Sequence, residues 1–254
     1  MLNYNRKMRV LMHLISREAK EKVRNEIEKT SMGISLYQSG KWISGRTIVP
    51  ADTVPRERIK PLLYQSLIKL GFITKPRNNN NQRIPKQLEK QLNYHFKARV
   101  SNENPRVQPI YADPEYRVNN TKVSRYDSIY WTSNPGDIAE LREWASMLDV
   151  TSEDLSFGKV LAILEMTTKP FKGMVFLLIS YYDPVSTDLN HEVLHIPHVK
   201  MLIDPHSNMQ AKYKYWYDVV SIEEYVSTMH VVPDIHNASD EERFFINWNA
   251  VNYI

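Results

Sequence analysis

Residues 158–182 read GKVLAILEMTTKPFKGMVFLLISYY, two apolar runs separated by a short segment holding Pro170 and Gly173. The runs are short, rich in Val, Ile, Phe and Tyr, and bounded by turn formers, which predicts two β-strands. The same composition recurs downstream in YKYWYDVVSI (213–222), MHVVPDI (229–235) and RFFINWNAV (243–251), with Pro, Asp and Asn between them. Several short strands at such spacing predict a compact, mostly antiparallel sheet or partial barrel for the second half of the chain.

The first half reads differently. In residues 8–29, Met8, Leu11, Met12, Ile15, Ala19, Val23 and Ile27 recur at three- and four-residue steps, the period of an amphipathic helix. SMGISLYQSGKWISGRTIVP (31–50) predicts a loop or small hairpin. A second helix is predicted near 60–70, with Pro61 in its first turn, Leu62, Leu63, Leu67 and Leu70 along one side, and Gly71 as its C-terminal cap. KPRNNNNQRIPK (75–86) reads as an exposed loop, and QLEKQLNYHFKARV (87–100) as a third short helix. SNENPRVQPIYADPEYRVNN (101–120) has three prolines and no period, so it is expected to link a unit of residues 1–100 to one of 121–254. Within the second unit, DIAELREWASML (137–148) carries a helical pattern with an Asp137–Glu140 capping pair. The fold class expected is α+β.

Charge divides along the same line. Residues 1–100 hold 21 Lys and Arg against 7 Asp and Glu, a balance of +14. Residues 101–254 hold 12 against 22, a balance of −10. A basic helical unit is a candidate for nucleic acid, although no recognition-helix signature is present and packing of the two halves could neutralise the difference. The residues expected to touch phosphate are Arg56, Arg58, Lys60, Arg77, Arg83, Lys86, Lys97 and Arg99. With no cysteine in 254 residues, disulfides, thiolate zinc sites and cysteine nucleophiles are excluded. No apolar run reaches the roughly 18 to 20 residues of a membrane span, and MLNYNRKMRVLMHLISREAKEK does not read as a secretory signal. An intracellular setting, nuclear if DNA is the partner, follows as an expectation, with the Asn119 and Asn237 sequons unglycosylated.

One catalytic motif demands a test. HEVLH (191–195) would place His191 and His195 one helical turn apart on a zinc ion, with Glu192 activating a water. Pro197 would break the helix that this needs. HIPHVKMLID (195–204) reads instead as an extended segment, in which His191 and His195 would stand about 13 Å apart. No spacing selects a third ligand among His206, Glu223, Glu224 and His230. A zinc hydrolase is therefore the alternative reading, and no cofactor is the expectation. Phosphate-binding, nucleophile-elbow and dinucleotide motifs are absent. The aromatic residues Tyr126, Tyr130, Trp131, Tyr181, Tyr182, Tyr213, Tyr215, Trp216 and Tyr217 could form a cage for a methylated ammonium, but core filling by strand aromatics explains them more simply.

The order of the second-half blocks is SRYDSIYW (124–131), FGKVLAILEM (157–166), FLLISYYDP (176–184), YWYDVVSIEEYVSTMHVVPD (215–234) and ERFFINWNAV (242–251). It resembles the C-terminal module, similar to a bromo-adjacent-homology (BAH) domain, of proteins encoded by fungal CACTA-class transposons. The resemblance covers residues 120–254 and implies an interaction module for protein or nucleosome surfaces. The transposase catalytic core is not in this sequence. The function expected is that of a non-catalytic, transposon-derived, chromatin-associated protein, nucleic acid meeting the basic half and a protein partner the β-rich half, with no membrane partner. An inert fragment of a mobile element is the remaining alternative.

Overall fold

The computed structural model describes residues 34–43, 46–47, 56–74, 92–100, 109–132, 155–185, 198–206, 214–235 and 242–247. Their fold is β-rich. The strands are β1 (Ser35–Ile43), β2 (Arg46–Thr47), β3 (Leu92–Arg99), β4 (Ile110–Asp113), β5 (Arg117–Val118), β6 (Thr121–Lys122), β7 (Arg125–Tyr126), β8 (Ser128–Thr132), β9 (Leu155–Met166), β10 (Val175–Pro184), β11 (His198–Met201), β12 (Tyr217–Ser221), β13 (Tyr225–Pro233) and β14 (Arg243–Asn247). One α-helix, α1 (Arg56–Lys69), and a 3-10 turn at Ile222–Glu224 complete the described elements. All the strand pairings are antiparallel. The five strand blocks expected in the second half all fall on strands, and 31–50 contains the β1–β2 hairpin.

Pairing runs full circle through β9, β10, β11, β14, β13 and β8 and back to β9. Each of the six contributes to one apolar filling: Tyr130, Phe157, Tyr182, Val199, Met201, Val226, Met229, Phe244 and Ile246. Small closed barrels are filled by side chains in this way. Inside, the Ser128 and Tyr182 hydroxyls share a 2.8 Å hydrogen bond, which satisfies two polar atoms that burial would otherwise penalise.

The two strands of residues 155–184 extend beyond that ring. One edge of β9 is shared, with β8 along residues 155–159 and β3 along 163–166. One edge of β10 is likewise shared, with β12 along 176–180 and β11 along 182–184. Val175–Ser180 are buried without a break because both faces are covered. Phe176 and Leu178 pack under α1, while Val175, Leu177 and Ile179 join Ile110, Ile129, Trp131, Val160 and Ile163 on the other side. A strand covered on both faces needs a continuous apolar sequence, which explains VFLLIS. Gly158 is dictated by crowding: a Cβ there would lie 2.6 Å from the Ser180 carbonyl oxygen and 3.2 Å from the Trp131 ring.

Helix α1 buries Ile59, Leu63 and Leu67, three residues at four-residue steps, against Tyr94, Leu164, Phe176 and Val219. It ends as expected at Gly71, whose φ of 75° suits glycine. The Phe72 amide donates to the Leu67 carbonyl and the Gly71 amide to the Ile68 carbonyl, the paired bonds of a Schellman cap. Pro61 corrects the expected start. The helix begins at Arg56, so Pro61 lies inside it, beyond the first turn where it was expected. Lys69 in the last turn donates a 3.0 Å bond to Glu224, fastening α1 to the 3-10 turn.

Two further expectations are corrected. Residues 92–99, expected within a helix, form β3, which pairs with β1 on one edge and with β4 and β9 on the other. Partners on both edges override the local preference of a short segment, as tertiary context commonly does. The expected linker 101–120 contains β4 and β5, and the sheet is hydrogen-bonded across it. The helices expected at 8–29 and 137–148 lie outside the described residues.

Candidate nucleic-acid interface

Register fixes which side chains share a face. Ala98 of β3 stands opposite Ile110 of β4, and both are fully buried in the core. Lys97 stands opposite Tyr111, so this pair points the other way, out of the core. Arg99, two residues on, shares that face and is exposed. On the next strand Arg125 of β7 stands opposite Asp113 of β4. The outward surface of β3, β4 and β7 thus gathers cations around one ring. The Lys97 ammonium lies 5.0 Å from the Tyr111 centroid and the Arg125 guanidinium 4.0 Å. Tyr116 approaches Tyr111 edge-on at 5.5 Å and lies 5.2 Å from the same guanidinium. Arg125 also donates to the Tyr116 hydroxyl at 3.3 Å.

Asp127 holds this group in place. Its Oδ1 accepts from Arg125 Nε at 2.9 Å, and its Oδ2 accepts from the Tyr111 amide at 3.0 Å. The Asp127 amide donates back to the Tyr111 carbonyl, and its carbonyl accepts from Val160 of β9. Burial raises the Asp127 pKa, and the bonds from Arg125 and from the Tyr111 amide only partly offset this. Burial also works against the charge of Arg125, but Asp127 and Tyr116 outweigh it and the guanidinium pKa is raised. The cation is therefore fixed in direction and permanently charged.

The β5–β6 hairpin follows. Arg117 and Lys122 are cross-strand partners, and residues 117–124 are all exposed. Lys122 pairs with Glu115 at 2.8 Å, and its hydrogen bond holds the Glu115 carboxyl below the usual range. Lys159 of β9 stands 5.8 Å from the Tyr126 ring. Two-thirds of these cations come from the acidic half of the sequence.

Of the eight residues expected at a nucleic-acid site, Lys97 and Arg99 belong to this face. Lys60 is half-buried on α1, a separate element, and the side chains of Arg56 and Arg58 at its start lie outside the described residues. So do Arg77, Arg83 and Lys86. Tyr111, Tyr116, Arg117, Lys122 and Arg125 of this face and its hairpin were not among the residues expected there. The available signal was the Asn119–Asn120 pair between two short Val- and Thr-containing stretches, a hairpin cue.

The HEVLH residues His191, Glu192 and His195 lie outside the described residues. His198–Met201 just after them is a strand. Among the described residues no three His, Asp or Glu side chains are grouped to hold a metal. Glu224, considered as a distant ligand, has its oxygens engaged: Oε1 accepts from Lys69 and Oε2 from the Ser221 amide in a capping box. Of the aromatic set, Tyr130, Trp131 and Tyr182 are buried in the core. No helix among the described residues is long and apolar enough to cross a membrane. Comparison with protein-family models, with curated proteins and with solved structures gives no match to this chain.

Proposed function

We propose that the chain is a nucleic-acid-binding interaction protein that contacts the phosphate backbone through the outward face of β3, β4 and β7. The observation that carries this reading is the convergence of Lys97 and Arg125 on the single ring of Tyr111, with Arg99 beside them. Cations stacked on an aromatic ring keep their charge while losing side-chain freedom, and cation–π contact itself supplies about 0.5–1 kcal/mol at exposed sites. Such preorganised charges suit phosphate oxygens, which position a protein on nucleic acid without reading sequence. The proposal extends to a transposon-derived, BAH-like module acting at chromatin. Its support is that all the blocks behind that resemblance fall on strands, β7 to β10 and β12 to β14.

The test is fluorescence anisotropy of the full chain with labelled nucleic acid across a salt series. Affinity is expected to fall with salt at a log–log slope of about −0.9 per phosphate neutralised on duplex DNA. Lys97→Glu combined with Arg99→Glu should weaken binding and flatten that slope by about 2. Salt-insensitive binding, or a double variant that binds like the parent, refutes the proposal.

A further inference from the structure

We infer that the β5–β6 hairpin is a two-stranded ribbon that enters the major groove of duplex DNA and reads it with Asn119 and Asn120. The inference rests on the phosphate-contact reading above and assigns that site its substrate class. Four observations lead to it.

First, the ribbon stands clear: every residue from Arg117 to Ser124 is exposed, including Val118 and Val123. Second, its two-residue turn needs positive φ at both centres, and Asn119 and Asn120 supply 48° and 67°. Glycine would satisfy that backbone as well. Asparagine adds two amide groups at the tip, each able to donate and accept at once, which is the pattern that pairs with the N6 and N7 edge of adenine. The exposed Val118 beside them offers the apolar contact that a thymine methyl accepts.

Third, the ribbon is tied to the cationic face at its base. The Val123 amide donates to the Tyr116 carbonyl at 2.7 Å, and Arg125 bonds the Tyr116 hydroxyl. Phosphate contacts at Lys97 and Arg125 would therefore fix the direction in which the ribbon points. Fourth, the aromatic surface is already in use. Tyr111 carries two cations and Tyr116 one, so the cations compete with bases for the ring surface that a single strand would stack on. A duplex is favoured, and B-form DNA over RNA: its major groove, about 12 Å wide, admits a two-stranded ribbon, whereas the deep, narrow groove of A-form RNA does not.

The experiment selects the full chain on a randomised DNA duplex library and then measures affinities for the selected duplex, a scrambled duplex, duplex RNA and single-stranded DNA. The parent is expected to enrich an adenine-containing site and to bind it at least tenfold tighter than the scrambled duplex, with RNA and single strands weaker still. The Asn119→Gly, Asn120→Gly variant keeps the turn. It should retain scrambled-duplex affinity within about twofold while losing the preference. If the parent binds with salt sensitivity but enriches no site, prefers single strands or RNA, or keeps its preference in the glycine variant, the ribbon inference fails alone. If the parent binds none of the four, it falls together with the phosphate-contact reading.

Discussion

The centre of the molecule and its cationic arm are built on opposite plans. At the centre, β9 and β10 each serve several neighbours, and Val175–Ser180 have apolar partners on both faces. In the arm, β4 and β7 are four and two residues long, with core on one side only. There the outer side is held by Asp127, Arg125 and two tyrosine rings. The contrast separates where stability resides from where contact chemistry is displayed. The exposed cations of that surface, such as Arg99, can be altered at less cost to the fold than either the core or Asp127, which holds the surface together.

Three perturbations would break or sharpen that contrast. The largest is Phe176→Ala, which removes a fully buried ring from beneath α1 and should cost about 3–5 kcal/mol. Chemical denaturation should show a lower midpoint with an unchanged m-value. A loss below about 1 kcal/mol would mean that the centre is not where stability lies. Asp127→Ala comes next, at about 1–3 kcal/mol, because the Tyr111 amide loses its side-chain acceptor and Arg125 its carboxylate partner. Hydrogen exchange should speed up in β4 and β7 and stay slow in β10. Equal acceleration in both would erase the distinction.

The smallest effect is acid response, which should have opposite signs in the two regions. Glu165 of β9 accepts from His95 at 3.0 Å and Asn93 at 2.9 Å, and chiefly the bond to His95 holds its carboxyl below the ordinary glutamate range. A depressed folded-state pKa gives stability that is present above the unfolded value of about 4.3 and lost as pH falls through the folded one. Asp127 is raised by burial, so the folded state takes up its proton before the unfolded chain does, and acidification across that window is stabilising. Denaturant midpoints at pH 5 and pH 3 should therefore differ less in Glu165→Gln than in the parent, and more in Asp127→Asn. The reverse ordering would contradict both assignments.

The same contrast explains what could be read in the sequence. GMVFLLISYY announced a strand because burial on both faces demands unbroken apolar residues, and Leu63, Leu67 and Gly71 announced α1 and its cap because those signals are local. The residues of β3 misled. Leu92 and Phe96 lie four apart, as on a helix, and only partners on β1, β4 and β9 settle them as a strand. In the arm, Pro109 and Pro114 flank a four-residue strand and make it look like a linker. Halving the chain by charge hid the candidate site for the same reason. Lys97 and Arg99 belong to the basic half and Arg125 to the acidic one, and only register puts them on one face. Closure of the ring through β11 and β14 is likewise a long-range pairing that no window of sequence contains.

The shared edges of β9 and β10 also govern how the molecule can come apart. A strand that lends one edge to two neighbours cannot slip by a residue without breaking both ladders at once. A one-residue slip of β9 would therefore disturb its ladder with β3 and its ladder with β8 in the barrel together.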